Sequence, residues 1–507
     1  MKVVCLLSIF ACSAVLTAQT ARTYSLSANP TSSLPRSNSV SDLVVRGDSI
    51  WVGSGKGLDL TTNGGISWQH FSNTASFDET GISAVAVLNS RVAVAVATST
   101  KVDNESLPVG GGMHFSTNGG TTWSFTAQSV DAGLVDTIQY GISKIPVLAI
   151  TTATNNITYD VALTSNRIWT ANFAGMLRAS TDSGKTLKPV VLPPDNLNSI
   201  TPTDSLKFDL APTSGKSGLT GNLNHRVFSV FARNDSVIWV GTAGGINKST
   251  DGGVSWKKYS HQNQDSAISG NFVVAINEQR VSNKFIVWAA TVNAELPGEV
   301  RGVSYSTDEG SSWQTTLLGE FAHNISFKDS IVYVATDGGL LRSSDGGNAW
   351  IRSGTISDGK NRFTSDALFA VAVKGDTVWV GGPEGLAYTL DSPSVPFGSI
   401  WRVFRTYQPV SSSSDTYAYP TPFSPDDEVV RIHYTVTAGS GVTIRIFDFA
   451  MQPVRLLLNN AGNRGPESDE IWNGKDDHGR RVANGVYFYS VSIAGNEPSW
   501  GKIFVVQ

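Results

Sequence analysis

The octapeptide STDGGVSW at residues 249–256 recurs along the chain and decides how the chain folds. Near-copies are TTNGGISW at 61–68, STNGGTTW at 116–123, STDEGSSW at 306–313 and SSDGGNAW at 343–350. A sixth copy, STDSGKTL at 180–187, ends in Leu, and a seventh, from Thr389 to Trp401, is stretched by a Pro-rich insertion. Internal repeats of this kind determine an architecture before any single residue does.

Local hydrogen bonding accounts for the residue types of this repeated turn. Asp or Asn caps the backbone two residues on, the Ser or Thr hydroxyl adds a second bond, and Gly supplies a positive φ. The Trp is predicted to cover the apolar side of its own hairpin. We therefore predict a structural role for Asn63, Trp68, Asn118, Trp123, Asp182, Asp251, Trp256, Asp308, Trp313, Asp345 and Trp350.

Two strands precede each turn, and the second of them places an aromatic residue among small ones. The pattern is IWVG at 50–53 and at 238–241, whereas the second repeat has VAVA at 92–95. Helix-period apolar patterns are almost absent, which indicates an all-β chain. Four strands repeated seven times predict a seven-bladed β-propeller within residues 19–407.

The repeated turn resembles the Asp box, or BNR repeat, of sialidases, sortilin-type receptors and related β-propellers. The resemblance implies that the boxes lie away from the binding face. Sialidase catalysis requires an arginine triad, and LPRS at 34–37 lacks the pattern of its leading arginine. The related xyloglucan hydrolases use two propellers. A binding or scaffold propeller is therefore favoured with no catalytic residue assigned, and an exo-acting glycoside hydrolase of the sialidase-like superfamily stays the alternative.

Charge and cysteine content limit the partners and the compartment. The formal net charge of −4 gives no electrostatic case for nucleic acid or an anionic membrane. Residues 1–18 read as a secretory signal peptide, with Lys2 ahead of an apolar run too short to be a transmembrane helix. Cys5 and Cys12 fall inside this segment, and a lipoprotein box ending at Cys12 is the rival interpretation. A secreted or cell-surface bacterial protein is predicted, without metal or cofactor, since no cluster has ligand spacing.

Two short motifs have a structural interpretation. RGD at 46–48 resembles an integrin-binding tripeptide, but RND at 233–235 and KGD at 374–376 occupy the same slot in other repeats. A tight hairpin turn needs these residue types. GKS at 215–217 lacks the first Gly of a phosphate loop and the strand and helix that flank one.

Loop length indicates which face of the propeller binds a ligand. The long segments are predicted to project from one face, where function usually resides. They are residues 98–112, 129–156, 193–223, 260–271, 291–302 and 354–366. The polar residues that open the innermost strands would surround the channel mouth on that face and contact an extracellular glycan or protein. These candidates are Asp42, Asn224, His225, Asn271, Asn324 and Asp366.

The chain changes pattern after a Ser-rich linker at 408–415. Six or seven short strands in residues 416–507 predict an Ig-like β-sandwich. The stretch from WNGKD at 472–476 to GVY at 485–487 resembles the Ig-like domain of flagellar hook-assembly proteins and the sorting domains of type IX secretion. The resemblance implies export or attachment through the secretion machinery or a cell-envelope component. Thr421 and Gln507 depart from the sorting pattern, and Asp426, Asp427, Asp476 and Asp477 are interpreted as turn residues rather than calcium ligands.

Overall fold

A computed structural model describes most of the chain. The described residues are 22–25, 32–71, 80–102, 105–128, 131, 133–292, 297–363, 365–406, 416–426, 428–436, 440–462, 467–494 and 497–506. The predicted signal peptide at 1–18 and the predicted linker at 408–415 lie outside them. Apart from one 3-10 turn at Leu223–His225, the regular elements of these residues are β-strands. The all-β prediction is therefore confirmed.

Up to residue 406, the described part of the chain contains seven antiparallel sheets of four consecutive strands each, numbered 1 to 7 along the chain. Two of these sheets gain a fifth, outer strand, β1 in sheet 2 and β16 in sheet 4. The strands are β1 (Arg22–Ser25); sheet 1, β2 (Val40–Arg46), β3 (Ser49–Ser54), β4 (Gly57–Thr61), β5 (Gln69–Phe71); sheet 2, β6 (Gly81–Leu88), β7 (Arg91–Val102), β8 (Glu105–Ser116), β9 (Thr122–Thr126); a hairpin, β10 (Val135–Tyr140), β11 (Ser143–Leu148); sheet 3, β12 (Thr158–Leu163), β13 (Ile168–Asn172), β14 (Met176–Ser180), β15 (Lys188–Pro189); β16 (Ser199–Ile200); sheet 4, β17 (Val227–Ala232), β18 (Ile238–Thr242), β19 (Gly245–Ser249), β20 (Trp256–Tyr259); sheet 5, β21 (Phe272–Val281), β22 (Lys284–Val292), β23 (Gly302–Ser306), β24 (Gln314–Thr316); sheet 6, β25 (Ala322–Lys328), β26 (Ile331–Thr336), β27 (Gly339–Ser343), β28 (Ile351–Arg352); and sheet 7, β29 (Ala370–Lys374), β30 (Thr377–Gly382), β31 (Gly385–Leu390), β32 (Trp401–Phe404).

The first strands of the sheets close a ring. β2 packs on β6, β6 on β12, β12 on β17, β17 on β21, β21 on β25, β25 on β29, and β29 returns to β2. Each first strand is the innermost of its sheet, and the fourth lies at the rim. Sheets arranged radially around a central channel in this way form a β-propeller.

Polar contacts link neighbouring sheets around the face that contains the turns between first and second strands. The RGD tripeptide takes part, since the Arg46 side chain donates to Val87 O and Asp48 pairs with Lys374. Gly47 has a φ of +55°, as a tight turn between β2 and β3 requires. The other links join Arg91 to Thr164 and Ser165, Asn166 to Asp235, Arg233 to Glu278, Gln279 to Asp329, and Lys328 to Asp376.

The repeated turn has the same hydrogen bonds in each of its first six copies in the described residues. In residues 249–256, Ser249 Oγ donates to Asp251 Oδ1 and accepts from the Gly253 N–H, both at 2.8 Å. Asp251 Oδ1 also accepts from the Ser255 N–H at 2.8 Å. The equivalent bonds are made by Thr61 and Asn63, Ser116 and Asn118, Ser180 and Asp182, Ser306 and Asp308, and Ser343 and Asp345.

Where a repeated turn ends in Trp, the structure adds a contact with the preceding sheet to the predicted cover of its own hairpin. In three copies the Trp ring meets the aromatic residue in the second strand of the preceding sheet, edge to face. The geometry is Trp68 on Trp379 (centroids 6.3 Å apart, 80°), Trp313 on Trp239 (6.4 Å, 86°) and Trp350 on Trp288 (6.4 Å, 88°). Trp256 shares a core with Trp169, and Trp123 meets Phe71, which stacks on Trp51.

The described residues after 415 form two antiparallel sheets around one separate core. One sheet is ordered β33–β34–β37 and the other β36–β35–β38–β39. Phe423, Trp472 and Tyr487 lie at the centre of the shared core. The strands are β33 (Thr416–Tyr419), β34 (Val430–Thr435), β35 (Val442–Phe447), β36 (Pro453–Ala461), β37 (Glu467–Trp472), β38 (Gly485–Ile493) and β39 (Ser499–Val505).

Candidate functional site

The innermost strands enclose a channel of about 770 Å³. Every sheet of the ring contributes its first strand to the wall. A concave, largely preformed cavity on a rigid scaffold is the usual location of a binding site. The term mouth denotes the end of the channel at which the first strands begin.

One extra residue interrupts the first strand of most sheets at this mouth. The pairing of β2 with β3 skips Ser41, and the pairing of β12 with β13 skips Tyr159. Such a β-bulge re-aims a side chain, and bulges are frequent beside active sites. The corresponding residues are Ser41, Ser83, Tyr159, Phe228, Val274 and His323, and Phe369 directly precedes β29. All of these except Phe228 line the channel.

Aromatic rings accumulate on one side of the mouth. Phe228 lies 4.3 Å from Phe272, 5.4 Å from Tyr159 and 5.9 Å from Phe173, measured between ring centroids. A second group joins His323 to Phe321 at 4.9 Å and to Phe369 at 5.3 Å. We call the seven residues Tyr159, Phe173, Phe228, Phe272, Phe321, His323 and Phe369 the mouth aromatics. Tyr159 is 41% exposed and the others are half-buried, so their ring surfaces remain partly open to a ligand.

Sheets 1 and 2 give the mouth a different character. Ser41 and Ser83 replace the aromatic residues there, and the Ser41 hydroxyl donates to the carbonyls of Gly53 and Ile82. The mouth is therefore rich in aromatic rings on the side of sheets 3 to 7 and lined by hydroxyl groups at sheets 1 and 2. This arrangement suits a ligand with one apolar and one polar surface.

Two carboxylates in the channel wall join neighbouring sheets. Asp42 accepts from the N–H of Leu43 at 2.8 Å and from the N–H of Val85, in the next sheet, at 2.7 Å. Asp160 repeats this geometry with Val161 and Val230, both at 2.8 Å. Burial raises the pKa of Asp42 to about 6 despite these bonds. Burial raises the pKa of Asp160 to about 7, and the charge of Asp42 adds to the increase.

The predicted contacts Asn224 and His225 lie inside the protein rather than at the mouth. Both are fully buried, and Asn224 exchanges two amide hydrogen bonds of 2.9 Å with Asn247. His225 Nδ1 accepts from the Ala211 N–H at 3.1 Å, while Nε2 lies 3.2 Å from Leu192 O. Burial lowers the pKa of His225 to about 4, so the ring is neutral at pH 7. These side chains fasten residues 193–223 to sheet 4.

The remaining predicted contacts are scattered. Asn271 is buried and bonds through Nδ2 to Glu299 Oε1 at 2.6 Å and to Gln262 Oε1 at 2.7 Å. Asp366 is exposed and lies outside the channel lining. Of the six candidates, the structure brings Asp42 and Asn324 to the channel and leaves the other four away from it.

The long segments at 129–156 and 193–223 lie along the rim of the propeller. The prediction that all six long segments project from one face is therefore wrong. Ile200 pairs with Trp256 at the outer edge of sheet 4, and the Ile142 N–H donates to Pro202 O at 3.0 Å. Tyr140 reaches the repeated turn of sheet 4, where its hydroxyl donates to Val254 O at 2.6 Å. Apolar residues of both segments bury the rim of sheets 3 and 4. The segment at 98–112 is an extension of the β7–β8 hairpin.

Sequence reasoning missed the mouth aromatics because it selected polar residues. A signal was present, since an aromatic residue occurs at or next to the start of the innermost strand in sheets 3 to 7. The bulges at Tyr159, Phe228 and His323 cannot be read from alternation alone, because each bulge shifts the alternation by one residue.

The described residues contain no group of three or more His, Cys, Asp or Glu side chains that could hold a metal ion. Nor does a helix long and apolar enough to cross a membrane occur among them.

No protein-family model and no curated protein matches the chain. Among solved structures, it is similar to YCF48 from Cyanidioschyzon merolae, with 16% identity and a TM-score of 0.41 over 72% of this chain and 98% of that chain. It is similar to an ancestral GH74 enzyme, with 14% identity and a TM-score of 0.45 over 92% of this chain and 63% of that chain. PorZ, a surface component of the type-IX secretion system of Porphyromonas gingivalis, has 14% identity and a TM-score of 0.21 over 92% and 87%. The propeller assignment depends on the ring of sheets itself.

Proposed function

We propose that this is a secreted or cell-surface bacterial protein whose propeller binds an extracellular glycan or protein segment at the channel mouth. The observation that supports this most is the set of mouth aromatics, three of which, Tyr159, Phe228 and His323, are placed by bulges on the innermost strands of the ring. Half-buried aromatic rings offer large apolar surfaces at low entropic cost, and the polar groups opposite them fix orientation.

The proposal includes a finer account of the two parts of the chain. Each sheet of the ring is taken as one blade of a seven-bladed propeller, and each repeated turn as an Asp box. The two sheets after residue 415 are taken as an Ig-like module for export or attachment. The ring contacts of the innermost strands and the separate core around Trp472 support this division.

A glycan array and a surface pull-down with the full-length protein test the binding site. We expect Tyr159→Ala with Phe228→Ala to lower affinity for any captured ligand at least ~10-fold, since base, sugar or side-chain stacking on aromatic rings contributes about 1–3 kcal/mol. Ile66→Ala is the matched control because Ile66 is 69% exposed in the repeated turn of sheet 1, away from the channel lining. An equal loss of affinity in the control variant, or no loss of affinity in the double variant, would contradict binding at the mouth.

A second candidate function is exo-acting glycoside hydrolysis in the channel. It is favoured by the raised pKa values of Asp42 and Asp160, since a glycosidase needs a protonated carboxyl near neutral pH. Both carboxylates are already held by two backbone N–H groups each, which favours a role in joining sheets. Assays on sialosides and β-glucans decide: hydrolysis that Asp160→Asn abolishes in a folded protein would establish the enzyme.

The attachment role of the C-terminal module is supported by an exposed aromatic face. Phe447 lies 5.4 Å from Trp500, and Phe449 lies 6.3 Å from Phe488, between ring centroids. Phe449 is 76% exposed and Trp500 48%. Exposed apolar patches of this kind mark interaction sites. In the native host, Phe449→Ser with Trp500→Ser should displace the protein from the surface fraction, whereas normal delivery would leave the module without this role.

A further inference from the structure

A serine, a histidine and an aspartate lie in line at the rim of sheet 1, away from the channel. Ser32 Oγ is 2.7 Å from His70 Nε2, and His70 Nδ1 is 2.5 Å from Asp59 Oδ1. We propose that these residues form a nucleophilic catalytic site that hydrolyses carboxylic esters, with Ser32 as nucleophile, His70 as general base and Asp59 as the group that positions His70. The order of contacts and the atoms involved are those of a Ser-His-Asp triad.

Backbone pairing holds the three residues together. Asp59 on β4 stands directly opposite His70 on β5, the outermost strand of sheet 1. Ser32 is bridged to Trp68, two residues before His70, through Ser32 N–H to Trp68 O at 3.0 Å and Trp68 N–H to Ser32 O at 2.8 Å. Since side chains two residues apart on a strand share a face, Ser32 reaches the ring of His70.

The environment of Asp59 sets the tautomer of His70. Asp59 is fully buried, and its second oxygen accepts from the Arg36 N–H at 3.0 Å. An ionised carboxylate only accepts hydrogen bonds, so the proton between the two side chains belongs to Nδ1, and Nε2 is left as the acceptor for the Ser32 hydroxyl. His70 pairs with Asp59 as a group that can become a cation. The buried carboxylate therefore stabilises the positive charge that His70 acquires when it takes the serine proton.

The Ser32 hydroxyl has a second acceptor, the carbonyl of Leu34. With a neutral imidazole the hydroxyl donates to His70. With a protonated imidazole Nε2 donates to Ser32, and the hydroxyl turns to Leu34. Both protonation states that a catalytic cycle visits are thus accommodated without moving Ser32.

The fold does not require this set of residues. The positions of Asp59 and His70 are occupied in other sheets by Asn247 and Lys258, Ser304 and Thr315, Leu341 and Arg352, and Ala387 and Val403. Those sheets pair without an acid beside a histidine. The site is also accessible, because Ser32 is half-buried and the His70 side chain is 12% exposed.

The reaction balances with water as the only co-reactant. Ser32 Oγ attacks the ester carbonyl carbon while His70 Nε2 takes the hydroxyl proton. The tetrahedral intermediate expels the alcohol, which leaves with that proton, and an acyl-serine remains. Water then attacks the acyl carbon, gives one proton to Nε2, and the released serine oxygen recovers it, which leaves a carboxylic acid and the original site.

Two probes on the full-length protein test the proposal: a fluorophosphonate, which loses fluoride to an activated serine, and p-nitrophenyl acetate. We expect one phosphonyl adduct, mapped to Ser32, and multiple turnovers of the ester. Ser32→Ala should abolish both, and His70→Gln should slow both roughly 100-fold or more, the usual contribution of general base catalysis. Ser33→Ala, which removes the exposed hydroxyl next to Ser32, is the matched control and should change neither rate.

Melting curves establish that each variant is folded. Asp59→Asn is used as a further variant only if its melting transition matches that of the wild type. Labelling of Ser32 no faster than of Ser33 would overturn the proposal, as would an unchanged rate in His70→Gln. A single acylation without turnover would also overturn it, because the site would then not be catalytic.

Discussion

At the scale of single residues, glycine in the repeated turn has two separate functions. Gly64 has a φ of +70° and open space where a Cβ would lie, so a side chain there costs only the strain of the left-handed backbone. Ser183 and Glu309 occupy the same position in two other copies with a φ of +62°. Gly65 has a φ of +84°, and a Cβ added there would lie 2.5 Å from Phe404 Cζ in the preceding sheet. The second glycine therefore also lets the aromatic rings of two sheets approach the turn.

Alanine at these two positions should separate the two functions. Gly64→Ala should cost about 1–2 kcal/mol of unfolding free energy, the strain of a left-handed backbone. Gly65→Ala should cost that plus about 1–3 kcal/mol for overpacking against Phe404. Chemical denaturation of both variants measures the difference, and equal losses would contradict the close contact between sheets.

Protonation of Asp160 should link stability to pH. Its pKa is raised to about 7 in the folded protein, above the value of about 3.9 in an unfolded chain, so the folded state binds the proton more tightly. This contribution is fully present below about pH 4 and is lost as pH rises toward 7. Asp160→Asn should therefore gain about 1–3 kcal/mol relative to wild type between pH 4 and pH 8, since one pKa unit corresponds to about 1.4 kcal/mol.

Urea denaturation at several pH values measures this difference. His225 makes an opposite contribution to the free energy of unfolding, because its lowered pKa makes stability fall as pH drops through about 6. This contribution is the same in Asp160→Asn and in the wild type, so it cancels when the two are compared. A pH-independent difference would show that the Asp160 carboxyl titrates normally.

At the scale of elements, two positions pack together as a unit between neighbouring sheets. One is the aromatic residue in the second strand of a sheet, and the other is the last residue of the repeated turn in the next sheet. Sheet 2 has Ala93 in place of that aromatic residue, and the turn of sheet 3 ends in Leu187 in place of Trp. The two smaller residues pack in one cluster. Both substitutions are visible in the sequence, but their connection becomes apparent only when the strands are placed in space.

A double-mutant cycle on Trp239 and Trp313 should show this unit directly. Edge-to-face aromatic pairs contribute about 0.5–1.5 kcal/mol beyond their burial, so the two alanine substitutions should be non-additive by that amount. Trp239 with Trp350 is the control pair, because these rings belong to sheets 4 and 6 and should combine additively. Additivity in the first pair would contradict packing between sheets.

Much of the element order could be predicted from the sequence, and the errors have identifiable physical causes. The predicted strands at 50–53 and 238–241 lie in β3 and β18, because alternation and turn residues are local signals. The position of residues 193–223 along the rim depends on apolar contacts with sheets 3 and 4, which no local pattern encodes. Three of the mouth aromatics, Tyr159, Phe228 and His323, stand at bulges that no sequence pattern marks. His225 has the sequence pattern of a site residue, and only its burial shows otherwise.

At the scale of the whole molecule, the described residues form a propeller and a C-terminal pair of sheets with separate hydrophobic cores. Sheet 7 closes on sheet 1 through Asn38, whose side chain exchanges hydrogen bonds of 2.7 and 2.8 Å with the backbone of Thr406. The C-terminal sheets meet the propeller through Arg431, which donates to Asn361 Oδ1 at 2.8 Å. Because the two cores share no cluster, each should fold without the other.

A chain ending at Thr406 should therefore keep the melting transition of the propeller. Trp472→Ala in the full-length protein should lower only the C-terminal transition, by the about 3–5 kcal/mol typical of a buried aromatic residue. Differential scanning calorimetry resolves the two transitions. Loss of the propeller transition in the shortened chain would make the C-terminal sheets part of its core.

Hydrogen–deuterium exchange of the full-length protein, with and without a captured glycan or protein ligand, tests the central claim most directly. Binding at the channel mouth predicts slower exchange at the starts of β12, β17, β21, β25 and β29, where mouth aromatics lie. The turns at 46–48 and 233–235, on the opposite face, should be unaffected. Protection confined to those turns, or to the sheets after residue 415, would contradict the assignment of the binding site to the mouth.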